Sequence, residues 1–252
     1  MGEALTEPGG GMRLFVEAPL GADVRIELPQ TQTHYLVRVM RGRAGDRLSL
    51  FNGRDGEWSA EIAEIRKRSC IVSCKAQVGP QIEVPDLWLV FAPIKKTPAD
   101  YVVQKATELG VRLLQPMLTR RTIARRVNME RMRANAVEAA EQSGRTDVPE
   151  IREATEFERL IDAWPRERKL LFCDEGGDAP SVLHALQRSG GGPWAILTGP
   201  EGGFDPAERS RLRAQPFVVP VTLGTRILRA DTATLAAVAI WQAALGDPGR
   251  AS

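Results

Sequence analysis

The chain has 252 residues, 43% hydrophobic and 26% charged, with 34 Lys and Arg against 32 Asp and Glu. That is the make-up of a soluble globular protein with chain enough for two domains. A net charge of only +2 excludes binding through bulk positive charge, so any nucleic-acid contact must come from local basic clusters.

Cys70, Cys74 and Cys173 form no CxxC pair, and His34 and His184 are the only histidines. Neither a disulfide framework nor a metal site is expected, and a cytoplasmic location fits. No apolar run reaches the roughly 18 residues of a membrane span, and the N-terminus lacks the pattern of a signal peptide. The Gly-rich, polar stretch Met1 to Gly11 reads as a disordered leader.

From Asp23 to Cys74 the patterns have period two. Asp23 to Leu28, Arg47 to Phe51, Glu57 to Ile62 and Ser69 to Cys74 alternate in the manner of half-buried strands, with Asn52-Gly53 and Asp55-Gly56 as turns. A short helix, His34 to Met40, interrupts them, and the whole suggests a small β-barrel. The stretch Val78 to Asp86, with Gly79-Pro80 and Pro85, is a boundary; residues 12–80 form one expected domain and 86–247 the other.

Beyond it the patterns alternate between strand and helix. Leu87 to Ala92 is a continuous apolar run, as in a strand covered on both faces. Thr97 as cap, Pro98 and Asp100 open a helix that stops at Gly110. A strand over Val111 to Met117, a helix over Met129 to Ser143, a strand over Leu170 to Cys173 and a helix over Val182 to Arg188 follow. The fold class is therefore α/β with a mainly parallel sheet.

Near the C-terminus two apolar runs end in Gly-rich turns. Trp194 to Thr198 leads into Gly199-Pro200-Glu201-Gly202-Gly203-Phe204, with Asp205-Pro206 opening a helix. Phe217 to Leu223 leads into Gly224-Thr225-Arg226-Ile227-Leu228-Arg229 and the Ala-rich run Asp231 to Leu245. Glycine turns let a ligand approach the backbone, and two of them at neighbouring strand ends would form a crevice at the carboxyl edge of a sheet. The first turn is neither a Walker loop nor a dinucleotide fingerprint; on its own it is equally a tight strand-to-helix turn.

Taken together, LTGPEGGF and LGTRILRADTA resemble the SPOUT class of RNA methyltransferases, and within it the family that methylates N3 of a uridine in small-subunit (16S) ribosomal RNA. His34 to Arg41 with Gly45-Asp46 and Leu50 to Gly53, then Gln104 to Val111, then Ala139 to Arg145 with Val148-Pro149, match further blocks in order. The likeness runs from Met12 to Leu245. Asp231 stands where the family usually has Glu, and Lys95-Lys96-Thr97 lacks a Gly the family often carries.

The resemblance implies a trefoil-knotted SPOUT domain after a PUA-like barrel, S-adenosylmethionine as cofactor, and a homodimer packed through the knotted faces. Leu197, Thr198, Gly199, Glu201 and Gly202 would hold one side of the cofactor. Leu223, Gly224, Arg226, Ile227 and Leu228 would hold its adenine side, with Ala233 behind them. A cation beside the reacting uridine would stabilise its N3 anion; Arg229 is the first candidate and Arg145 the second, each open to phosphate binding or a structural ion pair instead. Glu201 and Asp231 are candidate proton acceptors, although a carboxylate in water is a weak base. RNA phosphates would meet Arg38, Arg41 and Arg43, then Lys67 and Arg68, then Arg121, Arg125 and Arg126; each cluster is equally a solvated face. A SPOUT enzyme for another RNA or atom, a ribosome assembly factor without activity and an unrelated nucleotide-binding protein remain as alternatives.

Overall fold

The computed structural model describes residues 11–94, 96–174, 176 and 178–246, without the side chains of 96–98. The expected leader therefore lies outside the described residues except for Gly11. The chain packs as two units, one running to Glu83 and joined by Val137–Val148, the other comprising Val84–Ala136 and the chain from Pro149 onward.

The first unit is a five-stranded sheet of β1 (Arg13–Phe15), β2 (Arg25–Leu28), β3 (Arg47–Phe51), β4 (Glu57–Ile65) and β5 (Cys70–Gly79), in the order β1-β3-β4-β5-β2. β1 runs parallel to β3 and the other pairs are antiparallel. The alternation read from the sequence is real: Ile26 and Leu28 are buried while Arg25 and Glu27 are exposed. They join Leu14, Leu36, Leu48, Leu50, Ile62 and Val72 in one core. The short helix begins earlier than expected, as α1 (Gln30–His34), and continues as a π-helical turn over Tyr35–Val39. The β3–β4 turn is held by Asn52, whose side-chain oxygen accepts from the amides of Arg54 (3.0 Å) and Asp55 (2.9 Å).

Strand β1 was not expected, being too short to show a period. Its Arg13 is nevertheless the organising side chain of this unit. It forks onto Glu57 at 3.0 Å and lies 4.6 Å over the Phe51 ring. It also donates to the carbonyls of Ala140, Glu141 (both 3.0 Å) and Arg145 (2.7 Å). These close the end of the helix Met129–Ser143, whose last carbonyls have no partner within the helix. Glu141 accepts from the Phe15 amide at 3.0 Å, and burial raises its carboxyl above the usual range. These bonds explain why 137–148 packs with the first unit, which no local pattern reveals.

In the second unit, strands β6 (Leu87–Phe91), β7 (Leu113–Leu118), β8 (Glu150–Ile151), β9 (Thr155–Glu156), β10 (Lys169–Cys173), β11 (Trp194–Thr198) and β12 (Val218–Val221) form a sheet in the order β12-β10-β11-β6-β7-β8, with β9 also on β7. Every pairing is parallel. The helices are α2 (Lys96–Glu108), α3 (Met129–Ser143), α4 (Phe157–Asp162), α5 (Val182–Ser189), α6 (Pro206–Arg213) and α7 (Ala230–Leu245). Helix α2 starts a residue ahead of the expected Thr97 cap, whose side chain lies outside the described residues. Asp100 is gripped by Arg131 and by Asn135 at 2.8 Å, and the Arg131 hydrogen bond lowers its carboxyl below the usual range.

Successive residues of a strand face opposite sides of the sheet. Val90, Leu170, Phe172, Ala195 and Leu197 pack with Phe157, Ile161 and Leu212 of α4 and α6. The other face meets α7, which packs on β11 and against α2 and α5. Both faces are covered, so β11 is buried throughout and reads as an uninterrupted apolar run.

Candidate functional site

Because all strands of the second unit run the same way, their carboxyl tips share one edge. The turn after β11 and the turn after β12 both open there, as expected. They are not neighbours, however: β10 pairs with both β11 and β12 and stands between them. The two turns are therefore separated at this edge by the chain that follows β10, of which Asp174, Gly176 and 178–181 are described. The sequence offered one signal for it, Gly176-Gly177, separated by two residues from the apolar run Leu170 to Cys173. Strand order depends on crossovers and is invisible to local patterns.

That middle segment is stapled down. The buried carboxylate of Asp174 accepts from Arg209 and Arg213 Nε, each at 2.7 Å. Arg213 also holds Asp178, and this hydrogen bond brings the Asp178 carboxyl down to about 2. Cys173, at the tip of β10, is pushed up to about 12 by burial and stays a thiol at neutral pH.

The turn after β11 is fixed at both ends. Thr198 Oγ1 lies 2.9 Å from Thr234 Oγ1 of α7, and the Thr198 carbonyl accepts from the Ala92 amide at 3.1 Å. At the far end Asp205 caps α6 in a reciprocal capping box with Glu208. Its glycines have different reasons to be there. A Cβ on Gly199 would sit 2.7 Å from the Phe204 ring, which packs edge-on against Phe172 at 5.2 Å. A Cβ on Gly202 would meet nothing closer than 3.8 Å, and its φ lies outside the left-handed region. Gly202 is exposed, so neither packing nor backbone conformation demands a glycine there; the open approach to its backbone is what a side chain would block.

The turn after β12 begins with Thr222, whose hydroxyl accepts from the Gly224 amide at 3.2 Å and donates to the Gly224 carbonyl at 3.1 Å. Leu223 and Leu228 are half-buried, while Gly224, Arg226 and Arg229 are exposed. Ile227 is 92% exposed, so nothing among the described residues covers it. Leu197 and Thr198 are buried, Glu201 is exposed, and Ala233 is half-buried in the first turn of α7. Asp231 accepts from the Thr232 amide at 2.8 Å and lies where the helix dipole favours negative charge. These residues all belong to the second unit. With Gly202 and Gly224 exposed, the backbone of both turns is open to an organic ligand recognised through main-chain amides and carbonyls.

The two candidate cations differ. Arg229 is exposed at the N-cap of α7, and among the described residues no acidic side chain pairs with it. Arg145 belongs to the first unit, where its side chain is 6% exposed and forks onto Asp147 at 3.0 and 2.9 Å. That geometry favours the structural reading of Arg145.

The basic clusters also divide. The side chains of Arg38, Arg41, Arg43, Lys67 and Arg68 stand on exposed positions of the first unit, Arg38 on the π-helical turn and Arg41 at φ 58°. The cluster after β7 is more committed: Arg120 pairs with Asp205 at 3.3 Å, Arg121 donates to the Gly202 carbonyl at 2.8 Å, and Arg125 pairs with Glu156 at 2.7 Å. Arg126 is exposed. Exposed pairs of this kind are worth at most about 1 kcal/mol and leave the charge available to phosphate.

Comparison with known proteins agrees with this architecture. An RNA methyltransferase domain model matches residues 81–242, and an RNA methyltransferase PUA domain model matches 28–73. The ribosomal RNA small subunit methyltransferase E of Rickettsia conorii is 32% identical over 90% of this chain and 93% of its own. That of Synechocystis is 33% identical over 90% and 76%. A Legionella pneumophila methyltransferase solved with bound S-adenosylmethionine superposes with a TM-score of 0.85 at 26% identity, covering 94% of this chain and 99% of its own. The ribosomal RNA small subunit methyltransferase E of Neisseria gonorrhoeae, also bound to S-adenosylmethionine, superposes at 0.80 with 27% identity and the same coverage. With its parallel α/β sheet, its PUA-like first unit and these relatives along almost its whole length, the chain belongs to the ribosomal RNA small subunit methyltransferase E family.

Proposed function

We propose that this protein methylates N3 of a uridine in 16S ribosomal RNA, using S-adenosylmethionine held at the carboxyl edge of its parallel sheet. The observation that carries this reading is the open backbone at Gly202, on the same carboxyl edge of the sheet as the turn after β12 and the exposed Arg229 that follows it. When bound, the cofactor supplies an electrophilic methyl group on a sulfonium for in-line displacement.

The protein's own part is positioning and charge. Leu197, Thr198, Gly199, Glu201 and Gly202 would hold one side of the cofactor. Leu223, Gly224, Arg226, Ile227 and Leu228 would hold the adenine side against Ala233, with backbone groups of Leu223, Arg226 and Leu228 reading the adenine edge. The proton on uridine N3 would pass to solvent or to Glu201 or Asp231, Arg229 would stabilise the resulting anion, and the sulfur would leave as a neutral thioether when its bond to the methyl group breaks. Arg38, Arg41, Arg43, Lys67 and Arg68 would bind phosphate from the first unit, and Arg125 and Arg126 from the second.

The finer organisation follows the same reading. Residues 12–80 serve as the RNA-docking domain and 86–247 as the transferase domain, with the C-terminal segment threaded as a trefoil knot. The return of the chain from edge strand β12 to α7, packed back on β11, supports that threading. Ala239 and Ala243 are exposed and Leu235, Ala236 and Ile240 half-buried on α7, a small apolar surface suited to close helix packing in a homodimer. Among the described residues no helix is long and apolar enough to cross a membrane, in keeping with a cytoplasmic protein that meets the small ribosomal subunit.

Calorimetry with S-adenosylmethionine and nucleoside mass spectrometry of 16S RNA from a deletion strain test the proposal. It expects saturable binding and the loss of one 3-methyluridine. Absence of binding would favour an assembly factor, and loss of a different methylated nucleoside would favour another SPOUT specificity.

A further inference from the structure

The segment after β7 holds the middle of the turn after β11. Its tip is a tight turn in which Thr119 and Thr122 are buried. The Thr119 amide donates to Thr122 Oγ1 at 2.9 Å, and the Thr122 amide to the Thr119 carbonyl at 3.2 Å. The next residue is tied to the start of α6: the Arg120 amide donates to Glu208 Oε1 at 2.9 Å, and Glu208 is itself buried in the α6 capping box. The backbone at 119–122 is thus fixed relative to Asp205, where the turn after β11 ends.

From that fixed point Arg121 reaches across the tip of β6, which lies between β7 and β11 in the sheet. Its Nη1 donates to the Gly202 carbonyl at 2.8 Å, and its stem lies 3.8 Å from where a Gly202 Cβ would be. The turn is otherwise held at Thr198 and Asp205, its two ends, and by one internal bond from the Gly203 amide to the Pro200 carbonyl at 2.9 Å. Arg121 is the side chain that restrains its midpoint.

We propose that Arg121 is a positioning residue for the cofactor-binding turn at Gly202, rather than principally a phosphate ligand. This rests on the reading that the turn binds S-adenosylmethionine. A preordered turn presents its backbone groups without an ordering cost at the moment of binding, so loss of the clasp weakens cofactor affinity even when no RNA is present.

The test compares Arg121→Gln with the wild type and with Arg126→Gln. Calorimetry without RNA is expected to show S-adenosylmethionine binding about tenfold weaker in Arg121→Gln, the scale of one charge-assisted hydrogen bond. KM for the cofactor should rise more than kcat falls, while the salt dependence of RNA binding stays as in the wild type. Arg126→Gln should show the opposite split, with cofactor affinity kept and a shallower salt slope. Arg121→Lys, which keeps a donor, should recover part of the affinity. Amide exchange of the cofactor-free protein gives an independent readout: Gly203 should exchange faster in Arg121→Gln at an unchanged melting temperature. Wild-type cofactor affinity and wild-type Gly203 exchange in Arg121→Gln, with a reduced RNA salt slope, would overturn the proposal and leave Arg121 a phosphate ligand. Failure of the wild type itself to bind cofactor would overturn the functional reading instead, while the exchange result would still decide the clasp.

Discussion

Two pairs of arginines, one in each unit, are handled in opposite ways. In the first unit Arg13 and Arg145 are buried, and every described contact they make is internal: carboxylates, helix-end carbonyls and an aromatic ring. At the carboxyl edge of the second unit Arg226 and Arg229 are exposed on either side of an uncovered Ile227. A guanidinium locked onto its own chain organises the fold, because leaving it unpaired in the interior is expensive. One left free at a strand tip adds nothing to folding and remains available to a substrate. The comparison separates the two residues that the sequence offered as candidate cations, Arg229 first and Arg145 second.

The largest expected effects break that comparison directly. Arg145→Ala removes one partner of a nearly buried ion pair, a change worth roughly 3–5 kcal/mol. Thermal melting should show a fall on the order of 10 °C, with turnover per folded molecule retained. Arg229→Gln should do the reverse, leaving the melting temperature in place and lowering kcat by about 100-fold, as expected for a group that stabilises charge in the transition state. If the two variants behaved alike, the distinction drawn here would be wrong.

The glycines of the turn after β11 sharpen it on a smaller scale. Gly199→Ala forces the Phe204 ring from its place and should destabilise the protein by about 1–3 kcal/mol, measured by denaturant unfolding. Gly202→Ala has room within the chain. It should leave stability within about 0.5 kcal/mol of wild type and weaken S-adenosylmethionine binding at least about tenfold, the scale of one lost ligand contact. Tight cofactor binding by Gly202→Ala would remove the main geometric support for the site.

A weaker effect follows from the thiols. Burial raises Cys70 and Cys74 above the ordinary value of 9.0 and Cys173 to about 12. The folded state holds these protons more tightly than the unfolded state. The associated stability is therefore fully present below about pH 9, the unfolded value, and is lost as the pH rises toward 12. Denaturant titrations at pH 8 and pH 10.5 should show a decline that Cys173→Ala reduces, and alkylation of native Cys173 at pH 8 should be slow. The smallest expected change is in RNA binding: Arg41→Gln should flatten the salt dependence by about one unit of slope or less.

Much of this was legible in the sequence. Strands β3, β6 and β11 and helix α3 follow from alternation, continuous burial and helix stops. The two glycine turns could be recognised because their residue types answer to backbone demands. What escaped was either too short or too distant. β1, β8 and β9 have three, two and two residues, below the length at which a period shows. The position of β10 between β11 and β12 is a matter of topology, so the separation of the two turns went unread. Arg121 sits in a run of charges, and nothing about its neighbours in sequence tells that its partner is a carbonyl 81 positions away. The place of Arg145 was hidden for the same reason, since Arg13 donates to its carbonyl from 132 positions away.

Transfer of labelled methyl from S-adenosylmethionine to 16S RNA by the purified protein, read by nuclease digestion and mass spectrometry for wild type and Arg229→Gln, tests the central claim most directly. The account predicts a single 3-methyluridine with the wild type and a rate about 100-fold lower with the variant, at equal cofactor affinity. Label on a ribose or on another base, or an Arg229→Gln enzyme as fast as the wild type, would contradict it.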